Sequence, residues 1–199
     1  MEAHADRPAA RERLLDAADE LFYTGGIAAT GVDAVLRRAQ ASPPTLYAHF
    51  GNKEGLVAAY LERRHQRWRQ TWDDVLAHTT DPHDRLLSVF EALALFRQRT
   101  GSTGGCAFLA AAAELPDTAA SGSAHAASRW IDADTTLLRQ RLGELAAATD
   151  VQDPDALAAE LIVIYDGALA GYARHSHDPL ATARRLADAA LSRRREAIP

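Results

Sequence analysis

An all-α protein is predicted, and three observations predict it. Leucine and alanine abound, aromatic residues make up 7% of the chain, and β-branched runs are scarce. Apolar residues recur every three or four positions, as on a helix with one buried face. Prolines and glycines fall between those stretches, where helices start and stop. A chain of 199 residues suits one or two small domains with a real core. No run of 18 apolar residues is present, and the N-terminal residues are acidic and polar without an h-region. Neither a membrane span nor a signal peptide is therefore expected. A single cysteine, Cys106, leaves no internal disulfide and fits a reducing cytoplasm.

Residues 1–8 read as a loose tail. From Pro8 the first helix runs to about Thr24, with Leu14, Leu15, Ala18, Leu21 and Phe22 on one face and Gly25-Gly26 as its stop. The stretch from Thr30 to Leu56, TGVDAVLRRAQASPPTLYAHFGNKEGL, has the grammar of a helix-turn-helix running into a longer helix. Val32, Val35, Leu36 and Ala39 bury one face of a short helix. Ser42 is a good cap type, and proline is favoured just inside a helix start. Leu46 and Phe50 then point inward while Thr45, Tyr47 and His49 stay outward. Such hydroxyl and imidazole groups can reach base edges and phosphates in a major groove.

This stretch resembles the DNA-binding domain of TetR-family regulators. The likeness starts at Arg13-Leu14-Leu15-Asp16-Ala17-Ala18-Asp19-Glu20-Leu21-Phe22 and passes through Gly26, Thr30, Val32, Val35, Ala39 and Ser42. It closes with Thr45-Leu46-Tyr47-Ala48-His49-Phe50 and Lys53-Glu54-Gly55-Leu56. By that resemblance the DNA-contacting residues are Thr30, Arg37, Arg38, Gln40, Ser42, Pro43, Pro44, Thr45, Tyr47, His49 and Lys53. Two positions depart from the family. Gln40 stands where glycine is usual and the turn wants a left-handed backbone, at a cost of roughly 1 kcal/mol. Pro44 also replaces a glycine and disfavours helical angles at Pro43, so the recognition helix is expected to start one residue late.

Charge does not advertise a polyanion binder. The chain carries a net −5, and residues 1–56 hold six basic groups against eight acidic ones. DNA binding would rest on local placement of Arg37, Arg38 and Lys53, doubled by dimerisation, and on a defined operator.

Lys53 to about His78 reads as one long helix linking two domains, residues 7–67 and 68–199. Tyr60, Arg63, Arg64 and Arg67 along its middle are expected to form a solvated face. Asp81-Pro82 opens a helix over about 82–99, and Gly101–Gly105 reads as a flexible connector with no phosphate-binding motif behind it. Cys106 to Leu115 is a short apolar helix closed by Pro116, Thr118 to Ala127 is small and polar, and Ser128 to Ala148 is a better helix. Asp153-Pro154 caps a helix to about Arg174, and Pro179 opens the last one. Apolar residues occupy more than one face of the 154–174 helix, and Gly167 and Gly171 permit close approach, so a second burial partner is expected. In TetR-like proteins the last two helices pair with their copies, which would set two recognition helices on a palindromic site.

Gly105-Cys106-Ala107-Phe108 and Ala112-Ala113-Glu114-Leu115 resemble a GCxF…AAxEL block found in a subset of that family. The family's middle helices usually enclose an inducer cavity. Candidate lining residues are Trp68, Trp72, Phe90, Phe96, Cys106, Phe108, Trp130 and Tyr165, which would suit an apolar or aromatic small molecule. Cys106 reads as a small buried hydrophobe before a redox sensor. His175 and His177, with Asp178 and His125, read as helix-end groups before metal ligands. Neither a GxSxG nor an HExxH motif occurs, so no catalytic residue, cofactor or metal is assigned. The reading is a homodimeric, cytoplasmic, ligand-responsive regulator of transcription, most simply a repressor. The alternative is a dimeric small-molecule binder whose helix-turn-helix no longer reads DNA.

Overall fold

The structure, a computed structural model, describes residues 9–115 and 126–196. The 1–8 tail, Thr118 to His125 of the small polar stretch, and His125 as a ligand lie outside the described residues. Among the described residues nine helices run in order: α1 (Ala10–Gly25), α2 (Val32–Ala39), α3 (Pro43–Phe50), α4 (Lys53–Ala77), α5 (Pro82–Thr100), α6 (Ala107–Glu114), α7 (Ser128–Ala147), α8 (Pro154–Ala173) and α9 (Pro179–Glu196). They form two compact units. The first takes the chain up to Arg64 together with Ala107–Ile131; the second takes His65–Cys106 and the chain from Asp132 onward. The division falls inside α4.

In the first unit, α1, α2, α3 and the start of α4 close over Leu14, Leu15, Phe22, Val35, Leu46, Leu56 and Leu61, all buried. The Phe22 ring meets Tyr60 edge-on, with centroids 5.6 Å apart. From α6, Ala107, Phe108 and Ala111 are also buried. Gln40 ends α2 at φ 50° and ψ 51°, the left-handed conformation expected of that turn. Arg13 Nε donates to the Ala39 carbonyl at 3.1 Å, meeting one of the helix-end acceptors that α2 leaves open.

Two expectations are corrected here. α3 starts at Pro43, directly after Ser42. The first helical positions need no N–H partner within the helix, so two prolines there cost no hydrogen bond, and the bias against helical angles before proline is overcome. Nor is the middle of α4 a solvated face. Tyr60 is 2% and Arg64 7% exposed. Arg63 reaches Asp16 at 2.7 Å, and Arg64 reaches Asp19 at 3.1 Å while lying over the Tyr23 ring. The acids of α1 turn these arginines inward; Arg67, by contrast, is exposed.

The second unit is built on Trp72, Leu86, Leu87, Phe90, Leu142, Leu157, Leu161 and Leu191. Trp72 Nε1 donates to Ser88 Oγ at 2.9 Å, and the Arg141 guanidinium lies 4.8 Å over the same indole while pairing with Asp73 at 2.7 Å. Asp81 caps α5 by accepting from the His83 and Asp84 N–H groups, as its place before Pro82 suggests. The glycine connector is held rather than loose: Arg97 donates to the Gly104 and Thr103 carbonyls at 2.6 and 3.1 Å and stacks on Tyr172.

α8 packs against α9, and a side chain at Gly171 would run into Pro179, so that glycine serves a contact within the chain. A Cβ at Gly167 would meet nothing within 4 Å, and Val163 is 71% exposed. Among the described residues α8 is the one helix long and apolar enough to cross a membrane, with a third of that window buried. It also carries Asp155, Glu160 and Asp166.

Two substitutions test local geometry. A methyl group at Gly55 would collide with the Phe50 carbonyl oxygen in the tight α3–α4 corner, where the Gly55 N–H donates to Asn52 Oδ1 at 2.7 Å. Gly55→Ala should therefore destabilise by about 2–4 kcal/mol in denaturant titration. Gln40→Gly should relieve the left-handed strain and stabilise by about 1 kcal/mol, raising Tm by about 2–4 °C in a thermal melt.

Candidate functional site

α3 owes its orientation to one anchor. Leu46 is completely buried, so residues on the opposite side of this two-turn helix must face outward. Tyr47 is 54% exposed, and Pro43, Pro44 and His49 are exposed too. Ser42 Oγ and Thr45 Oγ1 share a hydrogen bond of 2.8 Å, which orders two hydroxyls at the start of the helix. Arg37 and Gln40, at the end of α2, are exposed. The arrangement brings together a phenol, an imidazole, hydroxyls and a guanidinium around a short exposed helix, a set able to donate to phosphates and base edges.

Three of the expected contact residues are engaged within the protein. Arg38 pairs with Glu20 at 2.7 Å, and that bond holds its guanidinium protonated above the ordinary arginine range. Thr30 is 7% exposed and donates its hydroxyl to the Gly26 carbonyl at 2.7 Å. Lys53 Nζ lies 3.4 Å from the Ala28 carbonyl oxygen. Arg13 was not among the expected residues. Its position inside the first-helix motif was visible, but its bond to Ala39 joins residues 26 apart, and no periodic pattern reports such a link.

Four of the eight candidate effector residues meet in the second unit. The Trp68 ring lies 5.5 Å from Trp72, 5.7 Å from Phe96 and 6.0 Å from Tyr165. Phe90 belongs to the same core, with Cys106 half-buried against it. Phe108 and Trp130 fall within the first unit. Beside Phe96 runs an open groove of about 420 Å³ lined by Arg67, Gln70, Thr71, Arg99 and Thr100. Polar groups also enter this unit: His65 Nδ1 lies 3.5 Å from Asp134 Oδ1. Burial, and then the Asp134 charge, push the Asp166 carboxyl up from its usual range.

His175 and His177 are exposed, and the His175 backbone N–H meets the Tyr172 carbonyl at 3.1 Å. Among the described residues the grouping with metal-ligand proximity is Asp81, His83 and Asp84. One Asp81 oxygen there already caps α5, and His83 Nε2 pairs with Asp188 at 2.9 Å.

Comparison with known proteins places this geometry. Residues 14–60 match the family described as bacterial regulatory proteins, tetR family, and residues 82–187 match the tetracyclin repressor-like C-terminal domain. A TetR-family transcriptional regulator from Streptomyces coelicolor superposes with a TM-score of 0.82 at 28% identity, over 94% of this chain and 96% of that one. A TetR-type regulator from Streptomyces avermitilis gives 0.71 at 31% identity, over 91% and 99%. The transcriptional activator FasR of Mycolicibacterium smegmatis is 39% identical over 82 residues, 41% of this chain and 37% of FasR. The transcriptional repressor ComR of Escherichia coli is 45% identical over 53 residues, 27% of this chain and 25% of ComR. The chain thus spans well under half the length of these curated relatives. The two domain matches follow one another in the order of the helices, and 91–94% of the chain superposes on solved regulators: the chain belongs to the TetR family of bacterial regulatory proteins.

Proposed function

We propose that the protein is a homodimeric, cytoplasmic transcription regulator, a repressor that leaves a palindromic operator when a small apolar or aromatic inducer binds its C-terminal domain. The observation that carries this reading is the outward face of α3, with Tyr47, His49 and the paired Ser42 and Thr45 hydroxyls on a helix anchored by Leu46. Gln40 and the two prolines, which motivate a silent helix-turn-helix, are accommodated without loss of α2 or α3. That weighs for DNA reading.

Dimerisation is supported by α8 and α9. Val163 is 71% and Leu186 55% exposed, and the space at Gly167 is open, an apolar surface that a second copy of the same helices would cover. The names of the relatives include an activator and a repressor. Repression is the simpler choice, because a dimer seated on a promoter excludes other proteins with no further contact. The Trp68, Trp72, Phe96 and Tyr165 cluster supplies the apolar wall for the inducer. An inducer favouring the non-binding conformer by a few kcal/mol would empty most operators.

The test is binding of the purified protein to DNA from just upstream of its own gene, across a salt series and against an unrelated duplex. Selective binding with a steep salt slope is expected. Tyr47→Ala and Lys53→Ala should each weaken it about tenfold while the protein stays folded. Binding to neither duplex by a folded dimer would favour the silent small-molecule binder. Val163→Asp should convert the dimer to monomer in light scattering; a dimer that survives would place the interface elsewhere.

A further inference from the structure

Glu114 belongs to the AAxEL block and stands in the last turn of α6. A carboxylate there faces the negative end of the helix dipole, an unfavourable place for it. It is exposed, so packing does not account for it either. Its partner lies 86 residues earlier: Glu114 Oε2 accepts from the Ala28 backbone N–H at 2.6 Å, in the loop between α1 and α2. Gly26 leaves room for it. That residue sits at φ +84°, and a Cβ there would lie 3.1 Å from Glu114 Oε1. The other side of Ala28 is held as well, its carbonyl oxygen 3.4 Å from Lys53 Nζ at the first residue of α4. Two residues on, Thr30 ties the same loop to the Gly26 carbonyl at 2.7 Å.

We propose that Glu114 is a positioning residue for DNA binding: by gripping the Ala28 N–H it fixes the α1–α2 loop, and through the Ala28 carbonyl it fixes Lys53. This rests on the regulator reading above. Glu114 itself touches no nucleic acid in this scheme. Its carboxylate forms a charge-assisted bond to a loop peptide that helical hydrogen bonding does not reach. Loss of that bond frees the Ala28 peptide, and the lysine beside it loses a fixed neighbour.

The test uses the full-length protein and four variants: Glu114→Ala, Glu114→Gln, Lys53→Ala and the double variant Glu114→Ala with Lys53→Ala. Amide exchange at Ala28 and binding to the upstream duplex are measured on the same samples. Glu114→Ala should speed Ala28 exchange about tenfold or more and weaken the duplex complex about three- to tenfold. Its salt slope should also fall by about one, as it does for Lys53→Ala. Glu114→Gln, which keeps an acceptor oxygen, should recover part of both effects. The double variant should bind no more weakly than Lys53→Ala, because the two residues act on one contact. Unchanged exchange at Ala28 in Glu114→Ala would overturn the clasp. Faster exchange with unchanged binding, or fully additive losses in the double variant, would overturn the positioning role. Failure of the wild type to bind any duplex would sink the regulator reading instead, and Ala28 exchange would then decide the clasp alone.

Discussion

Two adjacent guanidinium groups set the frame of the first unit. Arg63 and Arg64 project from α4 into the acidic side of α1, where Glu12, Asp16 and Asp19 lie about one turn apart. The Arg63 side chain is 13% exposed and within 4 Å of all three acids, and the Arg64 side chain is 8% exposed. Charges buried to that degree are tolerated only with their partners in place, and removing one partner strands the other. The seam therefore fixes α4 against α1. The position of Lys53 and the exit of α1 into its glycine loop both follow from it. It also recasts the acid excess of the N-terminal region. Glu12, Asp16 and Asp19 of α1 answer arginines beyond residue 56 and so serve as structural counter-ions, while Glu20 pairs with Arg38 of α2.

Most of the helical layout could be read from the chain because local chemistry decides it. Asp81-Pro82 and Asp153-Pro154 are caps followed by proline at the first helical position, and each opens a helix where that grammar says it should. Gly26, Gly51 and Gly101 stand at helix ends with positive φ, the conformation that glycine reaches without a Cβ clash. On α3, the spacing alone put Leu46 inside and Tyr47 outside. The left-handed turn at Gln40 is what the family resemblance implies, glycine being usual there, and the backbone adopts it with glutamine in place.

Long-range pairing was out of reach of the same grammar. A charged stripe on α4 reads as solvated until α1 is known to lie against it, and charge alternation on one helix does not name the helix it faces. The connector at Gly101–Gly105 shows the same limit. Glycine content suggests freedom, yet one arginine of α5 holds two of its carbonyls. Pro43 runs the other way: the bias against helical angles before a proline yields to the preference for proline in a first turn. The aromatic residues divided along the same line. Trp68 and Trp72, one turn apart, were bound to be neighbours, whereas Phe108 and Trp130 fall with the first unit through contacts that spacing does not encode.

The placing of the indoles gives the molecule an optical asymmetry. Residues 1–64 contain no tryptophan, and two of the three in the chain lie in the second unit with ring centroids 5.5 Å apart. One of those two sits under the Arg141 cation and donates its N–H to Ser88, so its emission is tuned by a charge and a hydrogen bond that a small shift of α5 or α7 would alter. Docking of α3 on a duplex would leave that signal almost untouched unless the second unit rearranged with it. Emission from this pair thus reports on the second unit, while Trp130 belongs to the first.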